Sequence, residues 1–167
     1  MRRTVSKLAL GLVAAVFVGA VATSCGSDTT GPTNNVFIAA NMSAANEVAA
    51  GATPAFTSAG TGTATFVDKG TEIEWSLNLT NMTGVTMSHI HLGDPITSGP
   101  VIFNLFLPNG ASGTLNGEVM HGSITNANNP NISLDSLRVL FHNGHAYANV
   151  HTQAHGAGEI RAQIVAQ

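Results

Sequence analysis

Three histidines carry the chemistry that this sequence points to. His89 and His91 lie two residues apart in Ser88-His89-Ile90-His91-Leu92-Gly93, and His151 falls near the end of Tyr147-Ala148-Asn149-Val150-His151-Thr152. Both runs read as β-strands, in which successive side chains point to opposite faces. His89 and His91 therefore share a face opposite Ile90 and Leu92. In the second run His145, Tyr147, Asn149 and His151 share a face opposite Ala146, Ala148 and Val150. Strand residues two apart are separated by about 6.5–7 Å at Cα, so their rings can converge on one ion. With a third imidazole from a neighbouring strand, nitrogen–metal distances of about 2 Å become accessible. Such a three-histidine site suits zinc or copper, and affinity favours copper. Asn149, Asp94 or a backbone carbonyl would then fix the ring tautomers. The same residues admit a structural reading, because a neutral imidazole offers one donor and one acceptor to the Gly93–Gly99 loop and the adjoining strand.

Glu159 and Arg161 form a second pair, two apart on one strand face just after Gly156-Ala157-Gly158. Arg161 can offer a fork to an acidic ligand. Alternatively the two make a cross-strand ion pair that fixes register, worth about 0.2–1 kcal/mol. Signatures of other chemistries are missing: there is no G-x-S-x-G elbow and no phosphate-binding loop. Glu72 and Glu74 lie on a wet strand face with no apolar neighbour to raise a carboxyl pKa. Ser88 points away from His89, which argues against a nucleophile–base couple.

The elements that must hold the histidines read as short strands punctuated by Gly, Asn and Pro from Val36 onward, the pattern of a sandwich or barrel. The clearest strand is Glu72 to Thr80, with Ile73, Trp75, Leu77 and Leu79 on one face and polar residues on the other. Such alternation marks an antiparallel sheet with one face buried. Asp68-Lys69-Gly70 reads as the turn of a hairpin joining it to Thr61–Val67. That first strand is rich in Thr, Ala and Gly and is expected near an edge. Val101 to Leu107 would place Val101, Phe103, Leu105 and Leu107 on one face. Ser112 to Met120 and Glu159 to Ala166 complete the strands. Residues 133–143 read as a short amphipathic helix: Ser133 is the N-cap, Leu134, Leu137 and Phe141 recur at helical spacing, and Gly144 follows the end.

The N-terminus reads as an address. Arg2, Arg3 and Lys7 precede an apolar run from Leu8 to Ala22, the layout of an export signal. Small residues then lead to Cys25, the single cysteine of the chain. Ala22-Thr23-Ser24-Cys25 resembles the lipobox at which signal peptidase II cuts before acylation of the cysteine, with Ala22 where leucine is usual. The expected organisation is a signal over residues 1–24, a Gly/Ser/Thr-rich tether over 25–35, and one domain over 36–167. A lipid on Cys25 would hold the protein in the bacterial cell envelope, at the outer membrane or cell surface. Without its first 24 residues the chain keeps Lys69, Arg138 and Arg161 against nine carboxylates, a formal balance of −6. That surface argues against nucleic-acid binding and leaves any membrane contact to the acyl chains.

Several ordered motifs together resemble the CHRD domain, the module named from its repeats in chordin. They are Asn46-Glu47-Val48, Gly60-Thr61-Gly62-Thr63-Ala64, Ser88-His89-Ile90-His91-Leu92-Gly93, Ser98-Gly99-Pro100-Val101, Gly113-Thr114-Leu115-Asn116-Gly117, Tyr147-Ala148-Asn149-Val150-His151-Thr152 and Gly158-Glu159-Ile160-Arg161-Ala162-Gln163. The resemblance covers Val36 to Gln167 and implies an all-β extracellular domain, an antiparallel Greek-key-like β-sandwich with the one short helix. The bacterial members of that family have no settled biochemical role. The expectation from the residues is a non-enzymatic module that binds a protein or small-molecule ligand through the face carrying His89, His91, Asn149 and His151, with Tyr147, Glu159 and Arg161 in the surrounding network. A more distant similarity links His89 to Asp94 and Gly99-Pro100 with the copper strand of copper/zinc superoxide dismutases. That implies His89 and His91 as copper ligands and His151 as a later one. No histidine falls between His91 and His121 and no second cysteine exists, so the zinc loop, bridging imidazole and disulfide have no counterpart.

Overall fold

The computed structural model describes residues 35–48, 56–106 and 113–167. The signal, Cys25 and nearly all of the tether lie outside the described residues, as does Leu107. No helix among the described residues is long and apolar enough to cross a membrane.

Two antiparallel sheets pack face to face. The first holds β1 (Val36–Met42), β2 (Thr61–Asp68), β3 (Ile73–Thr83), β6 (Thr114–Ile124) and β9 (Val165–Ala166), in the order β6-β3-β2-β1-β9. The second holds β4 (Val85–Leu92), β5 (Val101–Phe106), β7 (Ala146–Thr152) and β8 (Ile160–Gln163), in the order β5-β4-β7-β8. Ile73, Trp75, Leu77 and Leu79 of β3 all point into the space between the sheets, as their alternation requires. They meet Ile90, Ala148, Val150 and Ile160 of the second sheet in one core. Burial of each large aliphatic side chain there stabilises the fold by about 1.5–3 kcal/mol.

The helix α1 (Leu134–His142) has the limits its sequence indicates. Ser133 Oγ accepts from the Ser136 N–H, and Gly144 takes the left-handed conformation after the last turn (φ 65°). Leu134, Leu137 and Phe141 are buried, and Phe141 packs edge-on against Phe37, its ring centroid 5.3 Å away. Arg138, on the same helix, forks onto Asp68 at the end of β2.

Three expectations need correction. β2 is central, between β1 and β3, rather than an edge strand. Its small residues reflect close sheet packing: a Cβ on Gly62 would stand 3.2 Å from Ile160 Cδ1. In β5 the buried residues are Ile102 and Leu105, and Val101 is exposed. Register shifts on either side of the His89–Ile90 pairing break the simple alternation that placed Val101, Phe103 and Leu105 together. Finally, Glu159 to Ala166 is not one strand. β8 pairs with β7, and after the buried Ile164 the chain passes to the other sheet, where β9 pairs with β1.

Candidate metal centre

β4 and β7 are antiparallel neighbours, and their register sets Met87 opposite His151, His89 opposite Asn149, and His91 opposite Tyr147. Even-numbered residues of both strands (Ile90, Ala148, Val150) point into the core. The odd-numbered residues of β7 and, beyond the register shift that leaves Val85 in the core, those of β4 from Met87 onward therefore share the outer face of the four-stranded sheet, under the loops that follow β4 and β7.

The three imidazoles meet there. Their ring centroids lie 4.9 Å (His89–His151), 5.4 Å (His89–His91) and 5.8 Å (His91–His151) apart. One nitrogen from each ring falls within 4.8 Å of the others. His89 and His151 are each 7% exposed. His91 Nδ1 lies 2.9 Å from the Gly99 carbonyl, and His151 Nδ1 lies 3.0 Å from the Gly156 carbonyl. A carbonyl only accepts, so both Nδ1 atoms carry the proton and both Nε2 atoms keep a lone pair. His151 Nε2 accepts a hydrogen bond from His89 Nδ1 at 3.2 Å, a bond that an ion between the two nitrogens would replace. Two ligands of a tetrahedral ion at about 2.0–2.1 Å lie about 3.3 Å apart, so this spacing matches a shared metal. His91 Nε2 is buried and has no hydrogen-bond partner. An orphaned lone pair of that kind costs about 1–3 kcal/mol, and a bound cation removes the cost. The residues present thus fit a metal ion.

Electrostatics keep the rings neutral, as ligation demands. Burial first, then His151 and His91, push the His89 pKa from 6.5 down to about 4. Burial also holds His91 and His151 below the ordinary histidine value, against the hydrogen bonds to Gly99 and Gly156.

The loop supplying the Gly99 carbonyl is itself fixed from below. Arg161, only 2% exposed, donates to the carbonyls of Asp94 (2.8 Å) and Thr97 (3.2 Å). Its guanidinium carbon sits 3.5 Å over the centre of the Tyr147 ring, which stacks on His91 at 4.9 Å and 8°. Tyr147 Oη accepts the Gly99 N–H. Gly99 admits no side chain, because a Cβ would stand 1.9 Å from the Leu92 carbonyl oxygen.

Arg161 and Glu159 do not make the ion pair considered above. Both are buried, and Glu159 instead accepts from Ser58 Oγ and Thr152 Oγ1. Glu159 and Arg161 do share a strand face, but loops cover it. Nor do Asn149 and Asp94 fix a tautomer; the backbone carbonyl alternative is the one realised. Asn149 Nδ2 donates to Glu47 Oε1 at 2.6 Å, and Asp94 accepts within its own turn from Thr97 and Ile96. Two histidines close in sequence stay outside the cluster. His155 stacks on Phe56, and the His145 carbonyl accepts the Gly93 N–H.

Glu47 was not singled out by residue chemistry, although it falls in one of the quoted motifs. It is 8% exposed, and burial pushes its carboxyl up to about 7 despite the lowering effects of Arg161 and Asn149. Gly158 (φ 132°) lets the chain pass beside this pair: a Cβ there would lie 2.8 Å from both Asn149 Nδ2 and Glu47 Oε2.

A family model described as the CHRD domain matches residues 38–164, well over half of the chain. The chain belongs to the CHRD family. The matched span of this CHRD domain runs from β1 to Ile164 and includes Glu47, all three clustered histidines and Arg161. Searches of curated proteins and of solved structures found no match.

Proposed function

We propose that this CHRD-domain protein is a non-enzymatic binding module of the bacterial cell envelope, and that its ligand is a copper or zinc ion held by His89, His91 and His151. The observation that carries the reading is the meeting of three neutral imidazoles with a buried, unpartnered His91 Nε2 among them. An ion suits this cluster better than a protein or larger small-molecule partner, because His89 and His151 are buried and His91, half-buried, keeps its Nε2 enclosed, which offers such a partner little surface. The His91–His121 interval holds no histidine to bridge two metals, so the site is read as mononuclear.

Metal analysis of the purified full chain tests it. One copper or zinc per chain, lost in His89→Ala and in His91→Ala while the fold survives, is the expected result. No bound metal at near-micromolar supply refutes it. The envelope address rests on the basic start, the apolar run and the lipobox-like approach to Cys25. Cells fed a fatty-acid analogue should tag wild type and not Cys25→Ser; equal tagging would reject the anchor.

A further inference from the structure

We propose that the ion preferred by this cluster is monovalent copper, Cu(I), and that Met87 supplies a fourth, thioether ligand. The inference rests on the metal reading above and adds charge and softness to it.

Charge comes first. The three ligands are neutral, and no carboxylate joins them. Acids nearby are engaged elsewhere: Glu47 with Asn149, Glu159 with Ser58 and Thr152, Asp94 within its own turn. Against this neutral set stands a fixed positive charge, offset in part by the Glu47 and Asp94 carboxylates, which act on Arg161 without pairing with it. Arg161 is buried, makes no ion pair among the described residues, and lies on the ring that stacks on His91. Repulsion from that guanidinium is twice as large for a divalent ion as for a monovalent one, and burial weakens its screening. Zinc sites in proteins commonly offset the ion's charge with thiolate or carboxylate ligands, and this one has none.

Softness comes from Met87. It belongs to the same odd-numbered face of β4 as His89 and His91, and stands directly opposite His151. Opposed residues of an antiparallel pair have Cβ atoms about 4.5–5.5 Å apart, within the swing of an unbranched methionine side chain. Met87 is 37% exposed, so the core does not account for a large apolar residue here. A thioether is a soft ligand that favours Cu(I) and adds little for zinc. Cu(I) also accepts three imidazoles without a bound water, which suits a cluster whose nitrogens are largely enclosed.

The test is an anaerobic titration of the purified full chain. Cu(I) is supplied in competition with bicinchoninate, and Zn(II) in competition with a zinc-chelating dye. Wild type should bind Cu(I) more tightly than Zn(II) by about tenfold or more, and Met87→Leu should weaken Cu(I) about tenfold while leaving Zn(II) unchanged. Arg161→Gln should narrow the preference for Cu(I) about tenfold, and Arg161→Lys should keep it. Because Arg161 is buried, Met87→Leu at the exposed position decides the matter where Arg161→Gln does not fold. Zn(II) binding as tight as Cu(I), or a Met87→Leu protein with wild-type Cu(I) affinity, overturns this inference and leaves the metal reading standing. Binding of neither ion overturns both.

Discussion

Glu47 and His89 should pull stability in opposite directions as pH falls from neutrality, and one substitution separates them. The Glu47 carboxyl is raised from 4.5 to about 7 by burial. Between those values the folded state binds more protons than the unfolded chain. Its stabilising contribution is therefore present below 4.5 and lost as pH rises through 7. A step from about pH 7.5 to about pH 5 restores about 2 kcal/mol from this group. His89 behaves oppositely, with a pKa lowered from 6.5 to about 4. Its contribution is present above 6.5 and lost as pH falls through 4. The same step removes about 2 kcal/mol at full strength, and about 1 kcal/mol after partial solvent screening. His91 and His151 shift in the same direction as His89. Glu47→Gln keeps an acceptor for Asn149 and cannot titrate. Over that step the variant should lose about 2 kcal/mol more than wild type, about 6 °C in Tm. Denaturation of both proteins at the two pH values, with a chelator present, measures the difference. Parallel pH profiles would refute the reasoning.

Three further outcomes follow from the packing at the site and around α1. Gly99→Ala forces a Cβ against the Leu92 carbonyl and displaces the acceptor for His91. It should cost about 2–3 kcal/mol in denaturation and at least about tenfold in metal affinity, and wild-type values for both would contradict the role given to Gly99. Asp68→Asn removes the fork on which Arg138 ties α1 to β2, a partly buried pair at 2.7 and 2.9 Å. Arg138 holds the Asp68 carboxyl below its ordinary 3.8. The contribution is present above that value and lost as pH falls through the folded pKa, so a neutral-pH penalty of about 1–3 kcal/mol should shrink in strong acid. Ser133→Ala deletes the cap of α1 and should cost about 1 kcal/mol by urea denaturation.

What the sequence made legible follows from what its residues state locally. Strict alternation in Ile73, Trp75, Leu77 and Leu79 announces a strand with one buried face, and Ser133 with Gly144 brackets the helix by cap chemistry alone. The His-x-His spacing places His89 and His91 on one face without reference to the rest of the fold. Whether His151 joins them depends on the β4–β7 register, which no local signal sets. Burial of Glu159 and Arg161 was illegible for a related reason: polar alternation reports a face turned from the core, and loops distant in sequence cover that face here. Glu47 lies 102 residues from its partner Asn149, and its displaced pKa exists only once the two sheets have closed. The β5 register shifts likewise come from pairing with β4.

X-ray absorption at the metal edge of the loaded full chain tests the central claim most directly. Three imidazole nitrogens at about 2.0–2.1 Å around one ion, reduced in number by His151→Ala, is the predicted shell. A shell of oxygens without imidazole scattering, or one unchanged by His151→Ala, would contradict a shared site built from β4 and β7.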